Sequence, residues 1–485
     1  MTAFLREPDP FTPVIGKTVR VSGHTTERAS VRSVFGNREF RALLSSALLS
    51  VLGDQIARIA VAVLVFRETD SAFASSATVA CTFLTWMVGG PFLSALADRL
   101  PRRSLMVWCD LLRAALVAVL VIPGLPLWAL FVVILAVGVL TPPFDSARGS
   151  VLPEVLDGDA YQVGNGLMGS VQQTAMLLGF LVGGVLVAAL SPQGALAVDA
   201  VTFVGSAALI QLAVRPHRQK ERAASSLPKD AIDGVHMVAR DRRLRRPLTF
   251  GVLGAAVMIA PEGMAVPVAN DLGGGPVLAG ILIAALPCGY VVGSLLLVQI
   301  PGEPRAKLLC PLIAVSCLPM LASSFVDQAW LLVVLWGLSG CAAAASLIAN
   351  AQYMTAAPDG TRGRAFGVAA LALNGAAGLV LVLVGGLTEA VAPLTAVSLV
   401  AAATLVLLLP MIATEGYTLP TAPLRPPPAT GRDWFASRAT PSPQRQLGAD
   451  RGEPGVPLPR RDLDGPHTPL AVSQGRSRPG RSSAG

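Results

Sequence analysis

Ser94-Ala95-Leu96-Ala97-Asp98-Arg99-Leu100-Pro101-Arg102-Arg103 is a short charged turn set between two apolar runs, 73–96 and 104–122. Each run is roughly 20 residues, enough to cross a ~30 Å hydrocarbon layer at ~1.5 Å per residue. An acid followed by three arginines at such a turn has a physical use. Asp98 is placed to pair with Arg99, Arg102 or Arg103, or to sit near a helix N-terminus. A cluster of this kind can latch two bodies on one face of a membrane and break when they rock. The plainer alternative is ordinary basic flanking of a membrane span.

The rest of the chain repeats this alternation. Of 485 residues, 53% are hydrophobic and only 14% charged, with a mean hydropathy of +0.60. Soluble domains carry about 25% charged residues. Twelve spans are predicted, at 40–66, 73–96, 104–122, 126–148, 164–190, 195–214, 247–270, 276–300, 306–326, 328–352, 364–388 and 392–413. The predicted organisation is a polar segment 1–38, a six-helix bundle 39–214, a central loop 215–246, a second bundle 247–413 and a disordered tail 414–485 rich in Pro, Arg, Ser and Gly. Segment 1–38 has no apolar run before a cleavage site, so the first helix is expected to act as an uncleaved signal anchor.

Charge sets the expected orientation. All 38 Lys and Arg fall on one side except Arg58 and Arg113, within spans, and Arg67, on the other face. That asymmetry over an even number of spans predicts both termini in the cytoplasm of a cell-membrane protein. The net charge of +8 therefore points to the bilayer, and no nucleic-acid motif accompanies it. The six cysteines (Cys81, Cys109, Cys288, Cys310, Cys317, Cys341) lie in apolar segments and read as small buried hydrophobes. His24, His217, His236 and His467 all lie outside the spans. Neither a metal site, a cofactor nor a histidine relay is expected in the membrane interior.

The halves also repeat. Gly183-Gly184 in span five and Gly385-Gly386 in span eleven are 202 apart, and Leu100-Pro101-Arg102 resembles Glu303-Pro304-Arg305 at 203. Such duplication suits a transporter with its site between repeats at the midplane.

The charged turn resembles the loop signature of the major facilitator superfamily, G-x-L-a-D-r-x-G-r-k, with Ser94 and Pro101 replacing two glycines. Ala175-Met176-Leu177-Leu178-Gly179-Phe180-Leu181-Val182-Gly183-Gly184 resembles the antiporter signature of the same family, g-x-x-x-G-P-x-x-G-G. Ala175 replaces its first Gly, and Phe180 replaces its Pro, which removes the expected kink. Small residues four apart let helix backbones approach closely. Gly53-Asp54-Gln55, Asp110-Leu111-Leu112-Arg113-Ala114, Ser146–Glu154 and Gly363-Arg364-Ala365-Phe366-Gly367 narrow the resemblance. It is to the bacterial branch with enterobactin-exporter-like and macrolide-efflux-like permeases, over about 36–413. The resemblance implies an all-α fold of two pseudo-symmetric six-helix bundles. It also implies export of amphipathic small molecules driven by proton entry, with no enzymatic activity.

An ionisable residue at mid-bilayer costs on the order of 2.5–3.5 kcal/mol on insertion scales. Asp54 and Glu262 lie about 21–23 Å from the basic ends of the first span of each half. With Gln55 and Arg58 they are the candidates for proton coupling or substrate binding. Two bland alternatives stand beside this. Arg58 lies one turn from Asp54, so the two could simply neutralise each other. Glu262 follows Pro261 and could sit in a broken helix at the watery outer mouth. Asp110 and Arg113, spaced i,i+3, are expected to pair and support the Asp98–Arg103 turn. Asp145, Asp199 and Glu389 are expected near span ends, reaching headgroups or water. Gln172 and Asn374, also 202 apart, read as equivalent polar positions at the interface between the halves, or simply as interhelical hydrogen bonds.

In the central loop Ile232, Val235, Val238 and Ala239 precede Arg240, Arg242, Arg243, Arg245 and Arg246, which predicts a short interfacial helix. The expected function is export of a drug, siderophore or other amphipathic metabolite by proton antiport with alternating access, as a monomer. Uptake or facilitated diffusion by the same fold is the first alternative, and a membrane-embedded enzyme a remote one.

Overall fold

A computed structural model describes residues 31–93, 100–216, 227–358 and 361–413. The chain enters by a short helix α1 (Val31–Gly36) and turns at Asn37 into α2 (Arg38–Thr69). Asn37 caps α2: its Oδ1 accepts from the backbone N–H groups of Glu39 at 2.9 Å and Phe40 at 3.3 Å. Next come α3 (Ala72–Leu93), α4 (Arg102–Leu120), α5 (Leu127–Val139), α6 (Thr141–Val155) and α7 (Gly158–Ala213). After α8 (Leu227–Arg240) the second half begins with α9 (Arg242–Asp271) and α10 (Gly275–Val298). It ends with α11 (Gly302–Lys307), α12 (Leu309–Ala322), α13 (Ala329–Ala343), α14 (Ser346–Ala356), α15 (Arg362–Leu387) and α16 (Pro393–Ala413).

Among the described residues, eight segments are long and apolar enough to cross a membrane by themselves, and Ala72–Trp86 and Leu309–Phe325 are shorter apolar helices. α7 spans 56 residues, ~84 Å if straight, and must cross twice. It breaks where Ser191 takes φ 74°, and the Ser191 hydroxyl accepts from the Gly194 N–H at 3.3 Å. Ser191 thus caps a new helix that starts with Pro192, whose missing N–H costs nothing at a first turn. α4 carries Arg102, Arg103, Asp110 and Arg113, which lower its hydropathy, yet it has the length of a span. With α5–α6, α11–α12 and α13–α14 each taken as one interrupted pass, the chain makes twelve.

The interruptions have local causes. Pro142 and Pro143 open α6 beside the break at Leu140. Pro311 cannot donate to the carbonyl of Lys307, where α11 gives way to α12. α9 starts five residues earlier than the sequence suggests, because the Asp241 carboxylate caps it from 2.8 Å to the Arg243 N–H. Arg242–Arg246 are therefore helical and do not belong to the loop. A helix, α8, covers the predicted stretch, with Ile232 and Val235 exposed and Val238 buried.

Large apolar side chains such as Val201, Leu295, Leu212 and Val406 are more than half exposed, as a lipid-facing belt requires. Inside, one large core joins the two halves. At the Arg-rich end it divides. Phe40, Met106, Phe144 and Ile210 form a core belonging to the first half, and Leu244, Tyr353 and Ala365 one belonging to the second. Across the halves α3 packs on α15 and α7 on α10. Cys109 and Cys317 are buried, but Cys288 is exposed, contrary to its reading as a core residue.

Candidate substrate cavity and membrane-embedded charges

A cavity of about 470 Å³ lies between the halves. Its wall runs along α9 from Pro247 and Leu248, near the Arg-rich end, to Glu262, about 22 Å deeper. Phe83, Met176 and Phe180 line it from the first half, and Met258, Leu286 and Leu373 from the second. The lining is mainly apolar, with polar groups at Gln173, Tyr290, Asn350, Asn374 and Glu262. Volume and lining suit a drug-sized organic molecule.

At the far end the halves close on small residues. A Cβ on Gly184 would come 2.6 Å from the Pro276 carbonyl and 3.2 Å from the Gly280 Cα, so α7 and α10 meet backbone to backbone. A Cβ on Gly385 would lie 3.2 Å from the Phe73 Cα, which is the same arrangement between α15 and α3. The Ser76 hydroxyl donates to the Leu381 carbonyl at 2.7 Å across this second seam. Gly179 and Gly183 face their own half: the corresponding distances are 2.7 Å to Gln55 Cβ and 3.0 Å to Ile56 Cα. Gln55 is consequently buried in the α2–α7 contact and does not line the cavity.

Arg58 donates to Glu262 Oε1 at 2.7 Å, joining α2 to α9. The two side chains are 18% and 8% exposed, and the guanidinium lies 5.4 Å from the Phe83 ring centre. Both bland alternatives fail here. Arg58 pairs with Glu262, across the halves, in place of Asp54 one turn away. Glu262 stands inside a continuous helix, where residues 260–269 are all buried, and not in a broken helix at an outer mouth. Packing on every side holds α9 together although Pro261 gives no hydrogen bond to the Val257 carbonyl.

A second group of charges fills the first half. Asp110 and Arg113 are 0% and 1% exposed and lie 3.6 Å apart. The Arg113 guanidinium is sandwiched between Phe144 and Phe203, at 5.1 and 5.4 Å. Arg148 pairs with Asp145 at 2.8 Å. Asp54 is half-buried and within electrostatic reach of Arg113, Arg58, Asp145 and Arg148. Asp199, expected near a span end, is instead 1% exposed. The reason is the start of the sixth pass at Pro192, a turn earlier than predicted, which carries Asp199 deeper. There it packs on Gly53, where any Cβ would overlap Asp199 Oδ1 and Thr202 Oγ1. Glycine before Asp54 was the available sequence signal.

Asp98 and Arg99 lie outside the described residues. Arg102 donates to the Ser150 carbonyl at 3.1 Å and pairs with Glu154, while Arg103 donates to the Gln211 carbonyl. These contacts tie α4 to α6 and α7 within one half. They give a partner to Glu154, the end of a stretch singled out in the sequence. Asn374 donates to Ala370 on its own helix at 2.8 Å, so it is no interhelical bond, and its position lines the cavity. On α7 the cavity-lining amide is Gln173 and not Gln172. Tyr290, which accepts from the Ser346 hydroxyl at 3.3 Å, carried no sequence signal as a lining residue.

A family model described as Major Facilitator Superfamily matches residues 43–381. The chain is similar to macrolide efflux protein A of Streptococcus pyogenes, 23% identical over 267 residues, which are 53% of this chain and 66% of the relative. It thus spans a little under two thirds of that relative's length. With macrolide efflux protein A of Enterococcus faecalis the identity is 25% over 223 residues, 44% of this chain and 69% of the relative. Among solved structures, the nucleoside transporter NupG superposes with a TM-score of 0.60 at 15% identity, covering 78% of this chain and all of its own. A bacterial homologue of the human lysosomal transporter Spinster, inward-facing and unoccupied, gives 0.58 at 14%, covering 78% of this chain and 96% of its own. These two likenesses concern the fold.

Proposed function

Because the chain belongs to the major facilitator superfamily, we propose that it exports amphipathic organic compounds, macrolide-like molecules among them, from the cytoplasm in exchange for protons. The observation that carries the proposal is the cavity: mainly apolar, lined from Pro247 near the Arg-rich end to the Glu262 carboxylate, with the halves meeting backbone to backbone at Gly184 and Gly385. The positive-inside rule assigns the Arg-rich end, and with it both termini, to the cytoplasm of the cell membrane. The structure is then the inward-open state of an alternating-access carrier. One chain lines the whole cavity, so a monomer suffices.

The Arg58–Glu262 bridge supplies a coupling scheme. In the empty inward-open carrier, the bridge holds the two halves together beside the far seam. The pair ties α2 to α9 directly, so the empty carrier resists opening outward. A substrate bearing a cationic group competes with Arg58 for Glu262 and releases this restraint. Once the carrier faces outward, a proton neutralises Glu262, displaces the substrate and lets the carrier return. The proton leaves to the cytoplasm as Arg58 re-pairs. Exchanging one proton for one monocation moves no net charge, so the pH difference drives the step, at about 1.4 kcal/mol per pH unit. Asp54, one turn from Arg58 on the same helix face, is a second candidate for holding the proton.

Facilitated diffusion is the second reading. It draws on Phe180, which stands where an antiporter proline is expected and leaves the fifth pass an unbroken helix down to Ser191. Labelled macrolide uptake into inside-out vesicles separates the two. Accumulation against the gradient, abolished by an uncoupler, is expected. Equilibration to equal concentrations, insensitive to the uncoupler, would establish facilitated diffusion instead.

A further inference from the structure

Pairing off the embedded charges of the first half leaves a remainder. Arg58 is held by Glu262, Arg148 by Asp145, and Arg113 lies against Asp110. Among the described residues, Asp54 and Asp199 are left with no cation of their own. Asp54 is half-buried. Asp199 is 1% exposed, its Oδ2 has no hydrogen-bond partner, and its Oδ1 receives only the Thr202 hydroxyl at 3.3 Å. An ionised carboxylate in that position has one long hydrogen bond and shares its nearest cation, Arg113, with Asp110, and a dry interior does not sustain it.

We infer that Asp199 is a proton-binding site of the first half, separate from the substrate cavity, occupied in the state seen here and exchanging with water by way of Asp54. The groups that surround it bear this out. From α2 it is Asp54 and from α4 they are Asp110 and Arg113, with the Thr202 hydroxyl on its own helix; Arg58, Asp145 and Arg148 act on Asp54. α10 meets α7 at Gly184 and α1 meets it at Gly164, both away from Asp199. With Arg113 held against Asp110, the surplus carboxylates are Asp54 and Asp199, and a proton on Asp199 removes the less exposed of the two. Gly53 lets the Asp199 carboxyl lie directly against the α2 backbone, one residue from Asp54. A proton released there passes to the Asp54 carboxylate and then to water, leaving Asp199 ionised only when the helices part and hydrate it. That exchange rests on the proton-coupled reading above; the occupancy of Asp199 at rest does not.

Infrared spectroscopy of the purified full chain at neutral pH tests the site. A protonated carboxylic acid gives a carbonyl stretch distinct from that of a carboxylate. The wild type is expected to show this band, shifted by isotope-labelled aspartate. It should disappear in Asp199→Asn and persist in Glu262→Gln and Asp110→Asn. Because a neutral amide resembles a neutral acid, Asp199→Asn should also keep the wild-type melting temperature. No aspartic-acid band in the wild type, or one that survives Asp199→Asn, would overturn the inference; the wild-type measurement decides even where the variant does not fold. Proton-independent transport would remove the role of Glu262 and leave the expected band unchanged, so the two readings fail separately.

Discussion

Arg58 and Glu262 show what a pair of charges contributes when it joins two bodies. Glu262→Ala leaves a guanidinium, 18% exposed, without its partner in the membrane interior. Its expected cost is about 3 kcal/mol of stability, read as a lower melting temperature in detergent. Arg58→Met combined with Glu262→Met should recover most of that loss and still not transport. If the double variant is no more stable than the single, the pair is not a mutual neutralisation. The sequence marked Asp54 and Glu262 as embedded charges at similar depth, and i,i+4 spacing made Asp54 the apparent partner of Arg58. Nothing along a single helix distinguishes a side chain turned to its neighbour from one reaching a helix 204 positions away. Asp199 was misplaced for a related reason. Its depth depends on which residue begins the sixth pass, and a one-turn error moves a carboxylate about 5 Å.

Helices were the most legible level. Apolar runs long enough to cross a bilayer announce themselves, and Ser191-Pro192 carries the signal for ending one pass and capping the next. Breaks within passes, at Leu140 and Lys307, were missed, since prolines in apolar runs are common and only their context decides whether a helix bends or stops. The small-residue pairs were legible as close packing, but not which helix each would meet. Gly183 meets α2 in its own half, whereas its neighbour Gly184 meets α10 in the other. This separates two effects by one residue. Gly184→Val should fold, yet fail to close the α7–α10 seam, because its side chain would press on the Pro276 carbonyl and the Gly280 backbone. Spin labels placed across that seam should report a wider separation than in the wild type. Gly183→Val should instead lower thermal stability, with the α2–α7 contact inside one half pushed apart. Identical behaviour of the two variants would contradict this division.

At the scale of the molecule, two halves share one core where they close and keep separate cores where they part, and the cavity occupies the gap. The duplication seen as a 202-residue offset appears in three dimensions as two matching seams, α7 with α10 and α15 with α3. Symmetry of this kind lets rocking about the centre open one end as it closes the other. The central claim is that such rocking is coupled to proton movement at Glu262. The most direct measurement is dye-monitored proton flux in acidified inside-out vesicles on addition of a macrolide, wild type beside Glu262→Gln. The account predicts substrate-triggered proton release from wild-type vesicles and at least a ~10-fold smaller response in the variant, about 1.4 kcal/mol of lost coupling. Macrolide transport by the wild type with no proton release, and with a rate the pH gradient does not alter, would contradict it.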